Sequence, residues 1–242
     1  MRTAINKFLT IPVFGILYCY TAIGVFIAVI LTWFSAKRPV QFLSRFWAKS
    51  VFFFLGKRLN ISGKEHIDKT RKYILVANHA SLFDIVAITS FYPDVSWFGH
   101  ERLLKVPLFG RFLKLTNYIP FSEPSVANTR RMLNQLLEKS HDQSVALFPE
   151  GTRTLNGKIN PFYRGFIYLF RTHDIEVLPL TLNGFYELKP KNRFYIDFSS
   201  RLEVVIHQPI PREELIEKTD SEIINKVRKI IESVHTHNKY LI

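Results

Sequence analysis

The chain has 242 residues, 47% hydrophobic and 22% charged, enough to bury a sizeable core and incompatible with a wholly disordered protein. Its formal charge of +13 points to an anionic partner: nucleic acid, a lipid surface or a phosphorylated ligand. One cysteine excludes an intramolecular disulfide and any Cys-rich zinc site.

The basic excess is lopsided. Residues 1–60 contain Arg2, Lys7, Lys37, Arg38, Arg45, Lys49, Lys57 and Arg58, and the first acidic residue is Glu65. Residues 8–36 are uncharged and largely apolar. As a helix this run is long enough to cross a hydrocarbon core of about 30 Å. A cleaved signal peptide fits poorly, because the run is too long and its last small pair, Ser35-Ala36, follows bulky Trp33 and Phe34. A buried core helix would normally be shorter and show a polar face. A membrane-embedded anchor fits best, whether it spans the bilayer or dips into one leaflet. The cationic cluster beyond it suits an anionic cytoplasmic leaflet. Residues 40–56 mix Phe42, Phe46, Trp47 and Phe52 with Arg45 and Lys49, four apart on one helix face. That pattern fits an interfacial amphipathic helix and, equally, a surface helix packed on the globular part.

Beyond Gly56 the pattern alternates between strands and helices. Strands are predicted at 73–77, 95–98, 144–148, 175–179, 194–198 and 202–206. A helix is predicted over 122–139, with Pro124 in its first turn. A second follows the capping-box spacing Thr219 to Glu222, with Ile223, Val227, Ile230, Ile231 and Val234 on one stripe. The fold class expected is α/β: a central mixed sheet covered by helices, preceded by a membrane-embedded, amphipathic helical anchor.

Two polar clusters each follow an apolar strand, where α/β folds place their sites. The first is Asn78-His79-Ala80-Ser81-Leu82-Phe83-Asp84. Asp84 can fold back in a turn or first helical turn and hold one ring nitrogen of His79. The other nitrogen then serves as a base for a hydroxyl. No nucleophile-elbow serine or cysteine accompanies the pair, which favours direct transfer over a covalent intermediate. Alone, the cluster reads equally as a helix-cap aspartate and an incidental histidine. The second cluster is Phe148-Pro149-Glu150-Gly151-Thr152-Arg153. Pro149 ends the strand, Gly151 allows a tight turn, Arg153 offers a fork of donors suited to phosphate, and Glu150 suits the arginine or an acceptor hydroxyl. Alone, it reads better as a structural Glu–Arg pair.

Together, the two clusters resemble the lysophosphatidic acid acyltransferase family of glycerolipid synthesis. The resemblance runs from about Lys72 to Leu182, and the N-terminal apolar region is similar to that family's membrane anchor. It implies that residues 1–58 form the anchor and 59–242 the catalytic domain. It implies that His79, oriented by Asp84, deprotonates an acceptor hydroxyl that attacks the thioester of acyl-CoA or acyl-carrier protein. It further implies that Glu150, Gly151, Thr152 and Arg153 form the acceptor-phosphate turn. Three further blocks resemble family features: Leu103 to Gly110 with Lys105 and Pro107, Pro161 to Gly165 with Arg164, and Ile175 to Leu180 with Pro179. Asn78, Ser81, Pro149, Arg164, Gly165 and Pro179 are expected to support the motifs.

The chain departs from the family pattern after Tyr118-Ile119-Pro120-Phe121, where an arginine that helps hold the phosphate is usual. Ser122-Glu123-Pro124 stands there instead, and the next arginines are Arg130 and Arg131. Arg102 or Lys105 is the expected substitute, while Glu123 would repel the phosphate. The expected function is transfer of a fatty acyl group to the sn-2 hydroxyl of lysophosphatidic acid, at a membrane and on its cytoplasmic face, with membrane phospholipids as further partners. No cofactor or metal is expected: the chain has no His-x-x-x-His pair, and His235-x-His237 reads as a solvated helix end. Acyl transfer to another lysolipid is the alternative within the class, and a non-catalytic membrane-anchored lipid-binding protein the alternative outside it. A nucleic-acid binder would show a helix-turn-helix, zinc-finger or RNP-type pattern, and none appears. A metal hydrolase built on His79 and Asp84 would need the metal.

Overall fold

The computed structural model describes residues 2–33, 37–105, 110, 113–114, 118–121, 143–172 and 174–236. Two helices lead the chain, α1 (Arg2–Trp33) and α2 (Lys37–Phe54). There follow β1 (Leu59–Ser62), β2 (Tyr73–Ala77), α3 (Phe83–Phe91), β3 (Val95–His100), β4 (Ile119–Phe121) and β5 (Ser144–Leu147). The remainder is α4 (Gly165–Thr172), β6 (Glu176–Asn183), α5 (Phe185–Leu188), β7 (Leu202–Ile206), α6 (Arg212–Leu215) and α7 (Asp220–Ser233).

The seven strands form one sheet in the order β1-β7-β6-β2-β5-β3-β4. Only β6 and β7 pair antiparallel; every other neighbouring pair is parallel. Strand β2 sits at the centre, and its five residues Tyr-Ile-Leu-Val-Ala are all buried. Tyr73, Leu75 and Ala77 enter a core shared with Val51 and Phe52 of α2, Ala87 and Ile88 of α3, and Phe185 and Leu188 of α5. Ile74 and Val76 face the other way, into a core with Phe166 and Phe170 of α4 and Val227 and Ile231 of α7. A strand covered on both faces needs apolar residues throughout, which is why β2 shows no polar alternation. Each fully buried Leu, Ile or Phe in these layers contributes about 1.5–3 kcal/mol.

The N-terminal helices are part of this packing. Leu17 of α1, Ala48, Val51 and Phe52 of α2, and Leu55 just beyond it lie in the first core. Trp47 of α2 donates its indole N–H to Thr21 of α1 at 3.1 Å. The outer faces stay apolar: Phe8, Ile11 and Tyr18 on α1 and Phe42, Phe46 and Phe53 on α2 are exposed. Over Thr3–Leu31, α1 is long and apolar enough to cross a membrane by length and composition.

Strands 73–77 and 202–206 form over the residues the sequence indicates, and the capping box of Thr219 and Glu222 is made on both sides. The segment 194–198 is not a strand. The Ile196 N–H donates to Thr10 Oγ1 of α1 at 2.9 Å and the Asp197 N–H to the Leu188 carbonyl at 2.8 Å. The Asp197 carboxylate then accepts the Ser199 N–H, closing an Asx turn. These partners, one of them on distant α1, stand in place of a sheet neighbour. His235 is buried rather than solvated. The predicted helix 122–139, and with it Glu123, Arg130 and Arg131, lies outside the described residues, as does His237.

Gly184, at φ +81°, turns the chain from β6 into α5, and a Cβ there would collide with the Arg201 carbonyl. Both the left-handed backbone and the close approach require glycine. Gly184→Ala is expected to cost about 2–4 kcal/mol, lowering the thermal midpoint in detergent by about 5–10 °C. An unchanged midpoint would show that the turn relaxes.

Candidate active site

The parallel strands β2, β3, β5 and β6 all end at the same edge of the sheet. In open α/β sheets that edge is where ligands bind. Asn78 and His79 leave β2 there, 148–153 leave β5, and Gly184 and α5 leave β6.

His79 and Asp84 meet as the spacing suggests. Asp84 lies in the first turn of α3, fully buried, and its Oδ2 accepts from His79 Nδ1 at 2.8 Å. The same oxygen accepts the N–H groups of Ala80 at 2.6 Å and Ser81 at 2.8 Å. Three donors on one oxygen hold the carboxylate as an acceptor and leave Nδ1 as the protonated ring nitrogen. The ring lies flat against Phe148, with centroids 3.9 Å apart and planes at 10°, and Trp97 stacks behind Phe148 at 5.9 Å. The His79 side chain is 16% exposed, and its Nε2 has no hydrogen-bond partner among the described residues. The arrangement therefore leaves Nε2 as the ring nitrogen available to whatever enters.

The residues around the pair hold the loop. The Asn78 amide donates to the Leu182 carbonyl and accepts the Leu182 N–H, locking the end of β2 to β6. Ser81 Oγ donates to the Lys189 carbonyl at 2.7 Å. Pro149 accepts the Tyr163 N–H through its carbonyl. Gly151 has φ +66° against the Tyr163 ring, and its N–H closes a turn on the Phe148 carbonyl. Pro179 lies in β6 opposite Val76, one residue before the β6–β7 ladder begins. Exposed Arg164 and Gly165 lead into α4.

Glu150 is turned inward, 2% exposed. One oxygen accepts the His79 N–H at 2.6 Å and the other the Asn160 N–H at 2.7 Å. The Thr154 N–H returns a bond to the His79 carbonyl at 2.8 Å. Glu150 thus braces the backbone of His79, and no ion pair joins it to Arg153 among the described residues. Burial outweighs the two N–H donors and pushes its carboxyl up to about 7.

Arg153 is half-buried at the same edge and has no hydrogen-bond partner among the described residues. Burial lowers its pKa, and the Asp84 carboxylate acts against that. Thr152 lies 3.4 Å from Lys191 Nζ. Arg102 and Lys105 are exposed on a 3₁₀ turn, Glu101–Lys105, which leaves β3 at the same edge. Reading the sequence by motif missed Trp97 behind the Phe148–His79 stack, and the basic run Lys189-Pro190-Lys191-Asn192-Arg193. The run's density of cations after a buried strand was the available signal.

The family model described as "Acyltransferase" matches residues 58–183. The chain belongs to the acyltransferase family. Over 213 residues it is 28% identical to a 1-acyl-sn-glycerol-3-phosphate acyltransferase of Cocos nucifera, covering 86% of this chain and 65% of the relative. It is 24% identical to the alpha form from Mus musculus, covering 72% of this chain and 62% of that one. The chain spans about half to two thirds of the length of the curated relatives it matches. The crystal structure of the 1-acyl-sn-glycerophosphate acyltransferase PlsC from Thermotoga maritima superimposes with a TM-score of 0.83 at 26% identity, covering 99% of this chain and 98% of that one.

An acid whose folded pKa is raised contributes stability that is fully present below its unfolded value and lost as pH rises through the folded one. For Glu150 that window runs from 4.5 to about 7. At about 1.4 kcal/mol per pH unit, the loss is about 3 kcal/mol. The wild-type thermal midpoint is expected to fall by about 5–10 °C more than that of Glu150→Gln between pH 4.5 and 8. Parallel pH curves would show that Glu150 is ionised at its ordinary pKa.

Proposed function

We propose that this acyltransferase moves a fatty acyl group from acyl-CoA or acyl-carrier protein to the sn-2 hydroxyl of lysophosphatidic acid, giving phosphatidic acid. The observation that carries the reading is the bond of His79 Nδ1 to buried Asp84, which leaves Nε2 without a partner among the described residues. Nε2 removes the proton of the acceptor hydroxyl as its oxygen attacks the thioester carbonyl. The carbonyl carbon becomes tetrahedral, with negative charge on its oxygen. Collapse of that intermediate breaks the C–S bond, and the thiolate takes the proton held on Nε2. Asp84 keeps the ring's tautomer and stabilises the imidazolium formed between the two steps. Glu150 acts as a positioning residue through the His79 N–H. The free guanidinium of Arg153 suits the acceptor's phosphate. The chemistry needs no cofactor. Similarity to relatives named as 1-acyl-sn-glycerol-3-phosphate acyltransferases supports the acceptor.

Acceptor and product are both amphiphiles of the leaflet, whereas the donor is water-soluble. The exposed aromatic residues of α1 and α2, flanked by Arg45 and Lys49, suit insertion into an anionic leaflet with the site on its cytoplasmic side. One face of α1 is tied to the protein body by Asn6 and Thr10, which favours lying in the interface over crossing it. In this reading residues 1–58 are the membrane-contacting part and 59–242 carry the chemistry.

Purified protein in detergent, given a long-chain acyl-CoA and lysophosphatidic acid, is expected to form phosphatidic acid. His79→Ala is expected to lower turnover about 10²–10⁴-fold with the fold intact. Near-normal turnover by that variant would remove His79 from the mechanism, and transfer only to another lysolipid would reassign the acceptor. Phe42→Asp with Phe46→Asp is expected to reduce sedimentation with phosphatidylserine-containing vesicles at least tenfold. Unchanged sedimentation would exclude α2 from the contact.

A further inference from the structure

Three cations lie near the His79–Asp84 pair, and none of them makes an ion pair among the described residues. The Arg153 guanidinium is unpartnered among the described residues and half-buried. Lys189 is 9% exposed, and its ammonium donates to the Pro190 carbonyl alone among the described residues, at 3.2 Å. An ammonium carries three donors, so two remain for a ligand. Lys191 reaches from the same loop to Thr152 Oγ1 at 3.4 Å. The charges feel one another: burial lowers the Lys189 pKa, and Arg153 and Arg193 push it further down. The carboxylate acting on Arg153 is Asp84, whose Oδ2 is already committed to His79 and two backbone N–H groups. Holding like charges together costs free energy, and a dianion placed among them recovers it.

The loop is built to stay where it is. Ser81 Oγ, two residues from His79, holds the Lys189 carbonyl. The Arg193 guanidinium donates to the carbonyls of Leu188 and Tyr195 and lies 4.8 Å over the Tyr195 ring. Arg193 is thus spent on the loop itself, while Lys189 and Lys191 are left for something else.

We propose that Lys189 and Lys191, with Arg153, form a phosphate-binding cradle fixed relative to His79 by the Ser81–Lys189 bond, and that it selects a phosphate-bearing substrate. The proposal rests on the acyl-transfer reading for the identity of that substrate. The phosphomonoester of the acceptor and the phosphates of a coenzyme A donor share this chemistry. The test uses the full chain in detergent with His79→Ala to stop turnover. Affinity is measured for lysophosphatidic acid, for a monoacylglycerol of the same chain length, and for coenzyme A. Adding Lys191→Ala is expected to weaken lysophosphatidic acid about tenfold or more and leave the monoacylglycerol unchanged, with Lys191→Arg restoring most of the loss. Because Lys189 is nearly buried, Lys189→Met supplements the exposed Lys191 variant and does not replace it. Weakening of coenzyme A alone would assign the cradle to the donor. Unchanged affinity for both phosphate ligands would overturn it. A wild-type chain that transfers nothing to lysophosphatidic acid, yet loses affinity for it on Lys191→Ala, would overturn the proposed function and leave the cradle standing.

Discussion

Glu150 takes the backbone N–H of His79 on one carboxylate oxygen and that of Asn160 on the other. Through it, two loops more than 60 residues apart in sequence become one rigid surface. Thr154 closes the tie by donating its N–H to the His79 carbonyl. A buried carboxylate is costly unless such donors meet it, and removing it would leave two buried N–H groups without acceptors. The interaction stabilises the site only because both loops arrive together. That follows from β2 and β5 lying side by side and parallel at the centre of the sheet.

The imidazole is constrained on several sides. Asp84 sets its tautomer, Phe148 its plane, and Asn78 the position of the chain from which it leaves the sheet. Positioning of this kind lowers a barrier by removing reorganisation at the moment of reaction. It also explains why a short polar motif sits among apolar residues: Ser81 and Asp84 are fully buried, with Ser81 Oγ bonded to the Lys189 carbonyl and Asp84 Oδ2 to the His79 ring and the N–H groups of Ala80 and Ser81.

The N-terminal helices do more than present apolar surface. Thr10 of α1 accepts the Ile196 N–H and Asn6 donates to Asp197. Just beyond α2, Lys57 donates to the carbonyls of Phe198 and Ser200. These bonds fasten the segment that continues from the Lys189–Arg193 loop. The N-terminal helices are thereby fixed to the chain segment that follows the loop beside the site.

Much of this was legible in the sequence. The period of apolar residues located β2, β7 and α7, and the Thr219–Glu222 spacing marked a helix start, because those signals are local. Residue type and spacing singled out His79, Asp84 and the turn to Arg153, and the family resemblance supplied their expected roles. Tertiary structure decided what those residues bond to. Glu150 read as a partner for Arg153 or a hydroxyl, but the parallel pairing of β2 and β5 brings the His79 N–H within its reach. The segment 194–198 alternates like a strand, yet it bonds to Thr10 and Asn6 of α1, far away in sequence, and to Leu188 rather than to a sheet neighbour. The gathering of Lys189 and Lys191 beside Arg153 depends on β6 ending at the same edge as β5. The sequence by itself determined which groups are capable of chemistry, since that depends on side-chain type and near neighbours. Which of them face a substrate and which face each other was decided by strand order, since only the folded sheet sets distances between residues remote along the chain.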